Sequence, residues 1–189
     1  MELVFFIVLS VVLWVHSWYL LGFFVNSRTI GLTAGAAAVA LVLLALLRND
    51  FLPAWSEPPS QLEIEHAAAV TSLLLLWAFY AVLVAGTGIW GFEERSLGFY
   101  SLLLAVFSLL MALVFFVGDV YGPGLPDTKN AYVAIASIVL GVLALLLFFH
   151  LAIPFRRLRV ATGWSFFVGS LVLMALGVLG TVGLLTPPG

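Results

Sequence analysis

The 189-residue sequence has no cysteine, and only 8% of its residues are charged. Without cysteine there is no disulfide, no thiolate nucleophile and no thiolate metal site. A soluble domain carries about 25% charged residues. A chain so poor in charge and 64% hydrophobic would aggregate in water, so the composition describes an integral membrane protein. The net charge of −2 leaves no electrostatic footprint for nucleic acid. Carboxylates are missing from the interior of every long apolar run. That argues against a proton-relay pump, whose path needs Asp or Glu at depth. No carboxylate pair, metal cluster or nucleophile–base set lies within the runs either. No catalytic residue, metal site or enzymatic activity is therefore expected.

What the sequence does have is six long uncharged runs, at residues 3–25, 29–47, 67–91, 97–117, 131–153 and 160–185. Each is long enough to cross a hydrocarbon core of ~30 Å as a helix. The runs are continuous rather than alternating, which favours helix over strand. The breaks carry turn chemistry: Pro53, Pro58 and Pro59 in one, "YGPGLPD" in another, Pro154 in a third. The N-terminus has Glu2 where a signal peptide has a basic region, and its apolar run is too long, so it is expected to remain as the first span. The prediction is a single domain over residues 1–189, an all-α six-transmembrane-helix bundle.

Lysine and arginine set the expected orientation. The odd-numbered loops carry Arg28, then Arg95, then Arg156, Arg157 and Arg159, against Arg48 and Lys129 in the longer even loops. The positive-inside rule puts the odd loops in the cytoplasm and both termini on the outer, periplasmic side. Glu93, Glu94 and Arg95 then read as a hydrated cytoplasmic turn that stops the third and fourth helices.

Within the spans, Gly31, Gly35 and Ala38 form one small-residue face, and Gly177, Gly180 and Gly183 recur every third residue. Such faces let helix backbones approach closely inside one chain, or line a subunit contact or a smooth path. His16 lies in the first span between Trp14 and Trp18. A polar side chain at that depth is either a functional group or an imidazole hydrogen-bonded to a neighbouring helix. Trp14 and Trp18, four apart, share a face and either pack helices or line a path. Trp77, Phe79 and Tyr80 suit core packing, and flat aromatic faces also suit a narrow pore. His150 reads as interfacial, near Arg156. A haem held between His16 and His150 is disfavoured, because counting ~1.5 Å per residue puts them roughly 9 Å apart in depth. No cofactor is expected. His66, beside Glu63 and Glu65, could sense external acid. The plainer reading is a solvated helix start with acids near the positive dipole end.

Residues 77–105, "WAFYAVLVAGTGIWGFEERSLGFYSLLLA", carry a resemblance. The segment resembles the third-to-fourth-helix region of the urea/amide channel family (AmiS/UreI type). That family shows a Gly-Phe-x-Tyr helix, a Gly-Leu-Asp turn, then Trp-Tyr/Phe-Ser-Leu-Phe-Val-Ala. Phe79 matches the helix, Gly91 the turn, and Phe99, Tyr100, Ser101, Leu102 and Ala105 the next helix. "VNSRT" (25–29) resembles the end of the first hairpin, and "ATGWSFF" (161–167) the start of the last helix. The chain departs from the pattern where His16 and Thr87 replace polar asparagines, Leu83 a tyrosine, and His150 and Gly169 glutamates. Val133, Ser137, Leu140 and Ala144 stand where the acid-gated member has a tryptophan-rich fifth helix.

The resemblance implies a passive channel for a small neutral solute such as urea or a short amide. It implies a homo-oligomer, a hexameric ring with one pore per protomer, in the lipid bilayer of the bacterial cytoplasmic (inner) membrane. Spans one, three and five would line the path, with Leu13, Trp14, His16, Phe79, Leu83 and Leu143 as its residues. His66, Glu63 and Glu65 would be the gating candidates. The alternative is a non-conducting structural or accessory subunit of a larger membrane complex, built on the same fold and favoured by the leucine-rich fifth span.

Overall fold

Glycine stops the first helix earlier than hydropathy alone suggests. Gly22 adopts φ +81°, its N–H reaches Tyr19 O at 3.0 Å, and Phe23 N–H reaches Trp18 O at 3.0 Å. This paired closure needs a left-handed residue, which glycine supplies without steric penalty. The apolar Phe23 beyond it therefore lies outside the helix. Asn26 then caps the next helix, its Oδ1 accepting from Arg28 N–H at 3.0 Å.

The computed structural model describes the backbone at residues 2–23, 26–50, 61–120, 128–153 and 158–181, and side chains at 4–23, 26–46, 68–116, 131–153 and 158–180. Over the described residues the chain forms α1 (Glu2–Leu21), α2 (Ser27–Asp50), α3 (Gln61–Trp90), α4 (Glu94–Val120), α5 (Thr128–Leu151) and α6 (Leu158–Thr181). All six are long and apolar enough to cross a membrane. The protein is an all-α, multi-pass membrane bundle. Glu94 and Arg95 belong to the first turn of α4, not to a loop, which corrects the expected hydrated turn. A carboxylate in a first turn faces the positive end of the helix dipole, so the helix starts there despite the charge.

The helices stand in chain order around the bundle, and α6 closes back on α1. Packing is uneven: α1 with α6, α2 with α3, and α4 with α5 form tight antiparallel pairs, joined by looser seams. Each tight pair is pinned by glycine at the same end. A Cβ at Gly88 would lie 2.5 Å from Ser27 O and 2.8 Å from the Gly31 Cα. One at Gly98 would lie 2.8 Å from Ala152 N, and one at Gly163 2.8 Å from the Leu21 side chain. In lipid no hydrophobic force drives helices together, so such close approach is what holds the pairs. The expected small face at Gly31 is thus an intrachain contact.

The interior at the other end is filled. Phe5, Leu9 and Leu13 of α1, Leu73 and Trp77 of α3, Leu140 of α5 and Leu173 of α6 have no more than a trace of exposed surface. The Trp77 indole N–H donates to Ser108 Oγ at 3.3 Å, the polar contact that ties α3 to α4 in this layer. The outer surface is apolar, as a lipid-facing surface must be, with Leu103, Val106, Leu110 and Leu113 exposed along α4.

Candidate functional site

The pinned end of the bundle encloses a cavity of about 280 Å³. Every helix contributes to it: α1, α3 and α5 with their last turns, α2, α4 and α6 with their first. Its polar groups come from His16, Tyr19, Ser27, Thr87, Glu94, His150 and Arg159, and its apolar walls from leucine, isoleucine and valine.

His16 forms the inner limit. It is buried, and its Nδ1 and the Tyr80 hydroxyl are joined by a hydrogen bond of 2.8 Å. The Tyr80 ring lies on one side of the imidazole at 6.3 Å, and the Phe166 ring meets it edge-on at 5.4 Å. The sequence puts Tyr80 there because Leu73, Trp77, Tyr80 and Val84 recur at helical spacing on the inward face of α3. Beyond this pair toward the far end the interior is mainly leucine, phenylalanine, tryptophan and alanine, with buried serines such as Ser10 and Ser108 among them.

Arg159 holds the mouth together. Its Nε donates to Leu20 O at 2.9 Å and its Nη2 to Tyr19 O at 3.3 Å. These are carbonyls of the last turn of α1, beyond the reach of the regular helix ladder, and that of Tyr19 also accepts from Gly22 N–H. The guanidinium thereby caps α1 from α6 and complements the negative end of its dipole. Across the mouth the Tyr19 hydroxyl donates to Glu94 Oε1 at 3.5 Å. No ion pair joins Glu94 to Arg159 among the described residues. Among the described residues, three buried polar side-chain atoms have no hydrogen-bond partner: His150 Nδ1, Thr162 Oγ1 and Ser137 Oγ.

Of the residues expected along a path, His16 lines this cavity. Leu13 is in the filled interior, and Leu83 is packed beside it at partial exposure. Leu143 lies under Gly169 at the α5–α6 seam, where an outer groove of about 460 Å³ runs between those helices. Trp14 packs α1 on α6, with its ring 4.6 Å from Phe167. Phe79 is half-exposed on the outside of the bundle, with its ring 5.2 Å from Tyr100. Neither lines the cavity, and for one reason. The face that sends His16 or Tyr80 inward turns a residue one or two positions away outward. Glu63, Glu65 and His66 fall on the first turns of α3, and their side chains lie outside the described residues.

Three positions singled out as departures from the family pattern converge here: His16, Thr87 and His150 all line the one cavity. His150 is therefore not only interfacial. Sequence reasoning missed Tyr19, Glu94 and Arg159 as cavity residues. The signal was available in their shared position, within the last or first turns at one end of the helices.

No known family profile and no curated protein matches the sequence. A solved structure does match in shape. The crystal structure of the urea channel from the human gastric pathogen Helicobacter pylori superposes with a TM-score of 0.72 at 19% sequence identity, covering 96% of this chain and 98% of that one. The fold is that of a urea channel.

The Gly-Phe-Tyr-Ser group at the start of α4 has a structural role within this fold. Gly98 admits the end of α5, and the Tyr100 hydroxyl donates to Leu76 O of α3 at 2.7 Å. Ser101 Oγ returns to Leu97 O and Gly98 O of its own helix.

Proposed function

We propose that this protein is a passive channel for a small neutral solute such as urea or a short amide. The observation that carries the reading is a six-helix ring with a polar cavity at one end, in a fold matched along its whole length by a urea channel. Glu94 and Arg159 bring opposite charges to the cavity, which suits a dipolar solute and gives neither sign of ion an advantage. A small ion would also have to shed its hydration against the apolar interior, at a cost that a neutral solute avoids. The reading includes a homo-oligomer, hexameric by resemblance, in the bacterial cytoplasmic membrane, with both termini outward and the cavity on the arginine-rich cytoplasmic side.

The filled interior favours a second reading, a non-conducting accessory subunit, because Leu9, Leu13, Trp77 and Leu140 leave no exposed surface between the cavity and the far end. In the channel reading this layer is a closed state. Stopped-flow light scattering of proteoliposomes decides between them. Urea or acetamide permeability above that of empty vesicles is the expected result. Permeability equal to that of empty vesicles for urea, short amides, ammonia and water selects the accessory subunit.

A further inference from the structure

His16 marks where the cavity stops. Of the lining residues, His16 and Val84 lie farthest from the ends of their helices, and Leu13, one turn deeper on α1, belongs to the filled interior. Tyr80, one turn deeper than Val84 on α3, does not line the cavity and is fully buried. Among the described residues its hydroxyl has one hydrogen-bond partner, His16 Nδ1. A phenol has a single hydrogen to place, and burying it without an acceptor is costly. Were the imidazole proton on Nδ1, it would go to the Tyr80 oxygen, and the phenolic hydrogen would have no acceptor. With Tyr80 as donor, Nδ1 accepts and the phenol is satisfied. A neutral imidazole that accepts at Nδ1 carries its hydrogen on Nε2. Nε2 has no hydrogen-bond partner among the described residues, yet it is not one of the buried unpartnered atoms, so it keeps accessible surface. The edge of His16 that lines the cavity is therefore an N–H donor.

We infer that Tyr80 is a positioning residue: it locks His16 in the Nε2–H form, and His16 thereby presents a hydrogen-bond donor to the solute's acceptor oxygen at the inner limit of the cavity. The docking role of His16 rests on the channel reading, and the locked tautomer stands without it. The opposite tautomer would show the cavity a lone pair and make the same place an acceptor. Packing does not choose between the two forms, because Phe166 meets the imidazole edge-on and has no polar side-chain atom. The lock also gives the path a direction. At the mouth, Arg159 has N–H groups beyond the two committed to the end of α1. An oxygen that leaves them finds a donor again where the packed layer begins.

The test is NMR of the full chain in lipid nanodiscs with ¹⁵N-labelled histidine, which tells protonated from bare ring nitrogens. The chain has three histidines, and His66→Gln and His150→Gln, made singly, assign the His16 signals by elimination. The wild type is expected to show His16 protonated at Nε2 and bare at Nδ1. Tyr80→Phe is expected to lower the ratio of Nε2–H to Nδ1–H by at least about fivefold, the loss of one buried hydrogen bond. Phe166→Leu disturbs packing on the same ring and is expected to leave the ratio unchanged. A wild-type His16 protonated at Nδ1, or at both nitrogens, overturns the inference and requires no variant to fold. An unchanged ratio in Tyr80→Phe, or an equal change in Phe166→Leu, overturns it too. Urea added to the same sample is expected to move the Nε2–H signal saturably, and methylammonium, which has no acceptor, is not. Vesicles that conduct urea while Nε2 stays silent reject His16 as the donor and keep the channel reading. Vesicles that pass no solute while Nε2 responds reject the channel reading and keep the site.

Discussion

The two ends of the bundle are built on different principles. At the cavity end, helices approach through glycine and are cross-linked by side-chain hydrogen bonds from Arg159, Tyr19, His16 and Tyr80. At the far end they are separated by large apolar side chains, with Trp77 to Ser108 a polar tie between α3 and α4. The first arrangement fixes geometry, because a hydrogen bond and a backbone contact each tolerate little displacement. The second fills volume, and its tolerance depends on whether neighbours can repack. The molecule thus sets a polar recess with fixed walls beside a packed apolar layer. In the proposed channel the recess would meet the solute and the packed layer would be the barrier.

That contrast can be broken at four points. Trp77→Ala removes the largest side chain of the packed layer and should cost about 3–5 kcal/mol. If that layer is the barrier, solute permeability of proteoliposomes rises at the same time, and an unchanged rate would move the barrier elsewhere. Gly88→Val forces a side chain against the α2 backbone and should cost about 3 kcal/mol, seen as lost thermal stability in detergent. A matching substitution on the lipid-facing surface should be tolerated. Tyr80→Phe leaves His16 Nδ1 without its partner and should cost about 1–2 kcal/mol, within the range for hydrogen bonds inside membranes. It leaves the packed layer intact, so permeability should change less than in Trp77→Ala. Phe79→Leu, on the outer surface, should move stability by less than about 0.5 kcal/mol and leave flux unaltered. A large effect of Phe79→Leu on flux in the assembled oligomer would restore it to the path.

The six spans were legible in the sequence because charge and hydropathy alternate in long blocks, and membrane spans are the elements such blocks report best. Their ends were less legible. Gly22 ended α1 before the apolar run did, and Glu94 began α4 inside a charged triplet. Backbone caps decide those boundaries, and hydropathy does not register them. The urea-channel fold was legible through the segment around Phe99, Tyr100 and Ser101, where Tyr100 and Ser101 carry intrachain packing contacts. The cavity was legible only in part. His16 stood out because it is polar and deep in a span. Glu94, Tyr19 and Arg159 did not, because charged and phenolic residues near span ends are ordinary. Only the three-dimensional ring reveals that these ends meet. The inward and outward flanks of α3 could not be separated either, since Trp77, Phe79 and Tyr80 are all aromatic and only two of them are buried.

The Arg159 contacts to Leu20 and Tyr19 join residues 139 and 140 positions apart. A chain threaded into the membrane from its N-terminus makes the α2–α3 and α4–α5 hairpins as it goes, but α1 must wait for its partner until the last helix has been synthesised. Over that interval the carbonyls at the end of α1 have no guanidinium, and the recess lacks one wall. Ring closure is therefore the late event of biogenesis, with the largest separation along the chain to bridge. A truncation ahead of residue 158 would leave five inserted helices and an open seam.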